Sequence, residues 1–262
     1  MTNGVHRFSA VQRELRDRFA GIVETGDDWI EVGRIGEGES ESWRVRNPAD
    51  DMVGVAKPGP PRADQDGHFR AAHEKIAFDL AHLIGLPVSP VVLWPKDIGT
   101  VYKVGRSISC WAFPQGDKWN VAEGKGLISA IQKQSVAAEV AAMRVFHAWI
   151  GDGDRKPDHV FVDTDSPPDR LNIAFFDHGN SMSAAWKGPN ANCGVCGHYL
   201  AGVPEDKDTM LAVAEHIAAC SDSNVQALVD RIPARYLPTG PRGHIIQNLL
   251  ARKGNLRGLV GI

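Results

Sequence analysis

The order of hydrophobic patterns predicts an α+β fold in two unequal lobes, a small β-rich one followed by a larger α-helical one. Three observations carry this expectation. Short alternating segments fill the first half, long helix-periodic segments fill the second, and one strand pair interrupts the helices beside a loop dense in charge. A chain of 262 residues, 43% hydrophobic and 23% charged, can bury a core in one domain or in two unequal lobes.

Ser9 to Val23 places Val11, Leu15, Phe19 and Ile22 at helical spacing, which predicts an amphipathic N-terminal helix. Trp29 to Val32 and Ser42 to Val45 then alternate like strands around a loop containing Gly33, Gly36 and Gly38. The turn at Asn47 to Asp50 leads into a third strand, Met52 to Lys57, so a small antiparallel sheet is expected. After a polar, Pro-rich connector from Pro58 to Gly67, Phe69 to Ile84 reads as a helix with Ile76, Leu80 and Leu83 on one face. Gly85 and Pro87 stop it. Ser89 to Leu93 and Ile108 to Phe113 are further strand candidates. Gly116 to Gly126 reads as a linker between lobes, and Leu127 to Ile150 as one long, Ala-rich buried helix. Val160 to Val162 and Leu171 to Phe176 form the strand pair, and the chain beyond about Asp208 reads as helices with short breaks. The lobe boundary is placed between residues 115 and 116, giving 1–115 and 116–262.

The formal net charge of −3 and sequence pI near 6.4 do not indicate nucleic-acid binding, which needs clustered excess Lys and Arg. The first residues have no apolar h-region, and no segment offers the roughly 18 uninterrupted apolar residues of a membrane helix. Cys110, Cys193, Cys196 and Cys220 are too few and too uneven for a disulfide framework. A cytoplasmic protein with reduced thiols and no membrane partner is expected.

The chemistry concentrates in Asp154-Arg155-Lys156-Pro157-Asp158-His159 and, beyond an apolar strand pair, Phe176-Asp177-His178-Gly179. Phosphoryl transfer is mainly positioning and charge stabilisation. It requires a cation for the nucleotide phosphates, metal ligands, and an oriented carboxylate near the attacking hydroxyl. Candidates occur in that order. Lys57 ends the strand Val55-Ala56-Lys57, and Glu74 follows on the next helix, where it could pair with that lysine. Asp154 is the candidate base, with Asp152 competing for the role, and Lys156 would neutralise the transferring group. Asp177 emerges where a strand ends, suited to Mg²⁺, and His159 stands in the position of a second metal ligand. Gly36, Gly38 and Ser40 could close a backbone loop over phosphates, although Glu37, Glu39 and Glu41 would have to point away.

These residues resemble the HipA-like kinases in their compact branch, which have a protein-kinase-like fold. The likeness rests on Val55-Ala56-Lys57, on the helix with Glu74 ending in Leu83-Ile84-Gly85-Leu86-Pro87-Val88, and on Ala148 to Arg155. It continues through Phe176-Asp177-His178-Gly179, Arg231 to Leu237 and Leu249 to Lys253. The resemblance implies ATP- and Mg²⁺-dependent phosphorylation, often of Ser or Thr on a protein acceptor, with Trp111 and Phe113 joining Lys57 and Glu74 at the nucleotide. The Asp-Arg start of the loop is also similar to lipid kinases, so a small-molecule or lipid acceptor is the alternative within the enzyme class. A nucleotide-binding pseudokinase is the alternative outside it.

The departure is His159, where the family pattern has Asn, because imidazole is a softer ligand than an amide oxygen and suits Mn²⁺ or Zn²⁺ better than Mg²⁺. Cys193, Cys196 and His198 form a further cluster that could offer three zinc ligands, or a loop with free thiols.

Overall fold

In the computed structural model the described residues are 10–26, 28–35, 42–58, 69–96, 105–113, 115–182 and 199–262. The alternation that begins at Ile30 builds a five-stranded antiparallel sheet from β1 (Ile30–Ile35), β2 (Ser42–Arg46), β3 (Val53–Pro58), β4 (Val91–Trp94) and β5 (Arg106–Cys110). Their spatial order is β1-β2-β3-β5-β4. A bulge between Glu31 and Gly33 shifts the β1–β2 register. Ahead of the sheet lies α1 (Ala10–Ala20).

Helix α2 (Arg70–Leu83) packs against β4 and β5 and is buried from Ala71 to Ala81, on all sides. The single apolar face expected from Ile76, Leu80 and Leu83 is thus too narrow: His73, Glu74, Lys75 and Asp79 are buried with it. Gly85 ends α2 as expected, at φ 79°, a left-handed conformation that costs glycine no Cβ clash. Its N–H donates to His82 O at 3.1 Å, and the Leu86 N–H donates to Ala81 O at 2.8 Å. The chain then bonds to the second half of the molecule. Ser89 N–H donates to Phe175 O at 2.8 Å, and Phe175 N–H donates to Pro87 O at 2.7 Å.

Two sequence expectations need correction. Gly116 to Gly126 is not a plain linker: it holds β6 (Asp117–Lys118) and α3 (Trp119–Gly124), with Trp119 and Ala122 fully buried. The turn-rich composition hid two apolar side chains one helical turn apart. Leu127 to Ile150 is not one helix but two. Ser129 and Gln132 form a reciprocal capping box that starts α4 (Ala130–Ser135). Val136, at φ −104° and ψ 8°, leaves helical geometry before α5 (Ala137–Ile150) begins.

Helix α5 is the spine of the helical part, with twelve of its residues buried. Its C-terminal carbonyls lack intrahelical partners, and buried Arg252 supplies one, donating Nε to Ala148 O at 2.7 Å. Trp149 Nε1 donates to Leu249 O at 3.0 Å, tying α5 to α8 (Thr239–Lys253). The remaining helices are α6 (Lys207–Ala219), α7 (Asp222–Asp230) and α9 (Leu256–Val260), each close to where apolar periodicity placed helix. Between α5 and α6, β6 pairs with β7 (Val160–Val162) and β7 with β8 (Ile173–Phe175), making a small antiparallel sheet. Among the described residues no helix is long and apolar enough to cross a membrane.

Candidate active site

The two sheets and α2 face one cleft of about 660 Å³. The pleat of β3 decides which side chains reach it. Val55 and Lys57 line the cleft, while Ala56 points the other way into the core. Lys57 Nζ lies 3.0 Å from Glu74 Oε1 and 2.7 Å from Asp177 Oδ1. Burial opposes its charge, but the two carboxylates outweigh that and raise its pKa above that of an ordinary lysine. Glu74 is therefore the partner of Lys57, not a solvent-facing residue, and its other oxygen accepts the His178 N–H at 3.0 Å.

A tight hinge fixes the loop before β7. Gly151 caps α5 at φ 64°, turning the chain so that Asp152 enters the core and Asp154 faces the cleft. Asp152 is fully buried, its Oδ2 2.7 Å from Arg155 and its Oδ1 accepting the Asp154 N–H at 3.1 Å. Burial raises its carboxyl to about 6 against the pull of Arg155. Asp152 thus lies buried behind the cleft, whereas Asp154 lines it. Arg155 also donates to the carbonyls of Phe176, at 3.1 Å, and Asp177, so one guanidinium clamps both loops together.

Asp177 sits at φ 64°, a left-handed conformation that is uncommon for a residue with a Cβ and is found where a site holds its backbone under constraint. Burial would raise its carboxyl, but Lys57 foremost, with His159 and Arg155, holds it well below the usual carboxylate range. His159 Nε2 is 3.7 Å from Asp177 Oδ2. Burial, then Arg155, lowers the imidazole to about 4, so it is neutral at pH 7 and keeps a lone pair. Asp154 accepts from Asn180 Nδ2 at 2.9 Å and lies 3.5 Å from Lys156 Nζ.

The apolar side of the cleft comprises Ile35, Val55 and Trp111 from the first sheet and its edge, with Phe161 and Phe176 from the second. Phe161 and Phe176 stack at 4.3 Å between ring centroids, and Trp111 lies 6.0 Å from Phe161. This is a slot of the kind that accepts a flat heteroaromatic ring. The second predicted aromatic, Phe113, does not line the cleft. It is buried against Ala112 and Ala174, because β5 ends at Cys110 and the bend at Ala112 breaks the two-residue alternation that would have kept positions 111 and 113 on one face.

The structure thus brings Lys57, Glu74, Trp111, Asp154, Lys156, His159 and Asp177 to one cleft. Gly36, Gly38 and Ser40 lie outside the described residues, though Ile35 and Ser42, which flank that loop, both line the cleft. Cys193, Cys196 and His198 also lie outside them. Sequence reading missed Asn180, Arg70 and the Phe161–Phe176 stack. Alternation on the strand pair could have exposed the stack; nothing local marks Asn180 or Arg70.

Among the described residues no three His, Cys, Asp or Glu side chains are grouped to hold a metal unaided. That donor set still fits Mg²⁺, which commonly takes one or two carboxylates and completes its shell with phosphate oxygens and water. Asp177 would be the anchor, with Asp154 or neutral His159 nearby.

No family profile matches the sequence, and no curated protein matches it significantly. Solved structures do. The proinflammatory kinase CtkA of Helicobacter pylori superposes with a TM-score of 0.53 at 13% identity, over 84% of this chain and 93% of CtkA. WaaP, solved in complex with acyl carrier protein, aligns over 97% of this chain and 98% of its own at 12% identity, with a TM-score of 0.40 that carries no weight here. The chain therefore has a protein-kinase-like fold. The HipA-like resemblance is met at the level of that fold and not as membership of the family.

Proposed function

We propose that this chain is an ATP- and Mg²⁺-dependent phosphotransferase of HipA-like type whose acceptor is a hydroxyl group, with Ser or Thr on a protein as the preferred class. The observation that carries the reading is the convergence of the Lys57–Glu74 pair, Asp177 and Asp154 on one cleft with an aromatic slot at its side.

In this reading the base of ATP enters the slot beside Trp111, and Lys57, held by Glu74, meets the phosphates. The chemistry that Mg²⁺ would supply there is neutralisation of the charge that develops on the phosphates. Asp177 would hold it, its strained backbone and the Arg155 clamp keeping the carboxylate at the cleft. Asp154 orients the acceptor hydroxyl and receives its proton, and Lys156, half exposed at the cleft, neutralises the transferring group. The lobe division proposed is 1–115 and 116–262, which puts this cleft at their junction. A cytoplasmic location, where ATP is plentiful, belongs to the same reading, and Cys110 and Cys220 are free thiols.

One observation favours the pseudokinase alternative: His159 replaces the amide expected of the second metal ligand. Transfer from γ-labelled ATP by the pure protein, measured beside Asp154→Ala, separates the two. Turnover that Asp154→Ala abolishes supports the enzyme; nucleotide binding without turnover supports the binding module.

A further inference from the structure

We infer that Asn180 is a positioning residue for Asp154, supplying from the loop after β8 the side-chain amide that the loop before β7 lacks at position 159. This rests on the phosphotransferase reading.

Asn180 Nδ2 donates to Asp154 Oδ2 at 2.9 Å across 26 residues of sequence. Lys156, which also neighbours this carboxylate, lies 3.5 Å away, with both side chains about half exposed. A solvated ammonium on a four-carbon stem fixes no direction. The planar amide, with two torsions, does: it holds one carboxylate oxygen and leaves the other for the acceptor proton. Being neutral, it orients Asp154 without cancelling the charge a base needs.

Asn180 is itself held on both sides. Gly179 abuts Arg70 and Glu74 so closely that a Cβ there would lie 3.4 Å from Arg70 Cβ and 3.5 Å from Glu74 Oε1. Ser181 is buried, and its hydroxyl donates to His178 O at 2.6 Å. The His178 N–H is in turn fixed by Glu74. The turn that carries Asn180 is thereby tied to the residue that holds Lys57. His159 cannot take this part. Its Nε2 faces Asp177, and its Nδ1 is buried with no hydrogen-bond partner among the described residues.

The test compares Asn180→Ala with Asn180→Asp, which keeps size and shape but replaces the N–H donor by a negative oxygen against Asp154. Steady-state transfer from γ-labelled ATP gives kcat and KM; calorimetry with a non-hydrolysable ATP analogue and Mg²⁺ gives nucleotide affinity; thermal midpoints report folding. A misplaced reacting group costs up to about 100-fold. We expect kcat to fall by about 10- to 100-fold in Asn180→Ala and at least as far in Asn180→Asp, with KM and analogue affinity within about threefold of wild type. The inference is overturned if both variants keep kcat within about threefold, or if Asn180→Asp alone stays active, since then the amide oxygen rather than the donor matters. It is equally overturned if the loss appears as nucleotide affinity, which would place Asn180 on the phosphates or their metal. Wild-type protein that binds the analogue but transfers nothing would sink both this inference and the phosphotransferase reading. An active wild type with normal Asn180 variants sinks the inference alone.

Discussion

Two lysine–carboxylate clusters sit on or against the same helix, yet they are built to opposite balances. In the cleft, Lys57 faces two acids, buried Glu74 and Asp177, and Lys57 and Asp177 keep some contact with solvent. Next to Glu74 on α2, Lys75 and, one turn beyond it, Asp79 are completely buried, 2.8 Å apart, and Asp79 also takes Arg231 at 2.6 Å. The first cluster has one base for two acids; the second has two bases for one acid. Their lysines respond in opposite directions. Two carboxylates raise Lys57, whereas burial, only partly countered by Asp79, lowers Lys75 to about 8. A surplus of carboxylate facing a cleft leaves room for an incoming cation. A closed triad has no room for a ligand and can only tie α2 to α7, as the Arg231 contact does.

The strongest test of that contrast is Asp177→Asn. Removing the anchor of the cleft cluster should lower transfer by at least about 10³-fold, roughly 4 kcal/mol in the barrier, while the thermal midpoint stays within a few degrees. Wild-type rates at saturating ATP and ordinary Mg²⁺ would mean that the surplus carboxylate has no metal to hold.

The core cluster should behave the other way. Asp79→Ala leaves the buried Lys75 ammonium without its carboxylate and removes one partner of Arg231, an error worth about 3–5 kcal/mol of stability and on the order of 10 °C in Tm. Denaturant unfolding measures it, and any surviving folded protein should bind nucleotide normally. The sharper variant replaces Lys75, Asp79 and Arg231 together by Met, Leu and Met. Because that removes the desolvation cost along with the attraction, stability should return to near wild type.

Most of the cleft cluster was legible in the sequence, because Lys57, Asp154 and Asp177 each sit at a strand end or in a loop whose local pattern fixes where the side chain points. Glu74 was legible by order alone. Its burial was not, since a Glu beside a Lys on a helix gives no sign that both faces of that helix are covered. The core cluster was invisible for the same reason. The break at Val136 escaped notice because an Ala-rich run keeps helical period on both sides of it. Trp119 was lost in a segment that glycine and charge made look like a linker. Asn180 could not have been found, since its contact with Asp154 exists only once two loops 26 residues apart are brought together. Phe113 failed for a local reason: the strand ends at Cys110, and the bend at Ala112 breaks the alternation that would have kept it beside Trp111.

The opposite pKa directions give the clusters opposite pH signatures. A lysine whose folded pKa is lowered to about 8 binds fewer protons in the native state than in the unfolded chain between pH 8 and its ordinary 10.5. Its penalty is therefore present in full below pH 8 and relieved as pH rises, so this group makes stability climb through that window. Lys57, raised above the ordinary value, contributes no change there and loses its contribution only at higher pH. Cys110, raised to about 12 by burial, works the other way above its ordinary 9, so the measure is the difference: from pH 8 to 10.5 the urea midpoint of wild type should rise relative to that of Lys75→Met, by an amount worth a few kcal/mol at most. An unchanged slope in Lys75→Met would assign the effect elsewhere.

The smallest expected effect belongs to His159, which touches the cleft cluster without belonging to either balance. Its imidazole is neutral at working pH, because burial and Arg155 bring it to about 4, and its Nε2 faces Asp177 across 3.7 Å. A lone pair so placed offers a metal a softer ligand than the amide oxygen of the family pattern, so it should favour Mn²⁺ relative to Mg²⁺. His159→Asn should keep or raise Mg²⁺-dependent transfer by a factor of about two to five and narrow any advantage of Mn²⁺ by a similar factor. Transfer rates over a concentration series of each metal measure both. If His159 merely packs behind Asp177, the exchange leaves a void beside the carboxylate, and activity should fall by the same factor with either metal. Parallel losses would therefore take His159 off the metal and leave Asp177, with Asp154 nearby, to hold the cation.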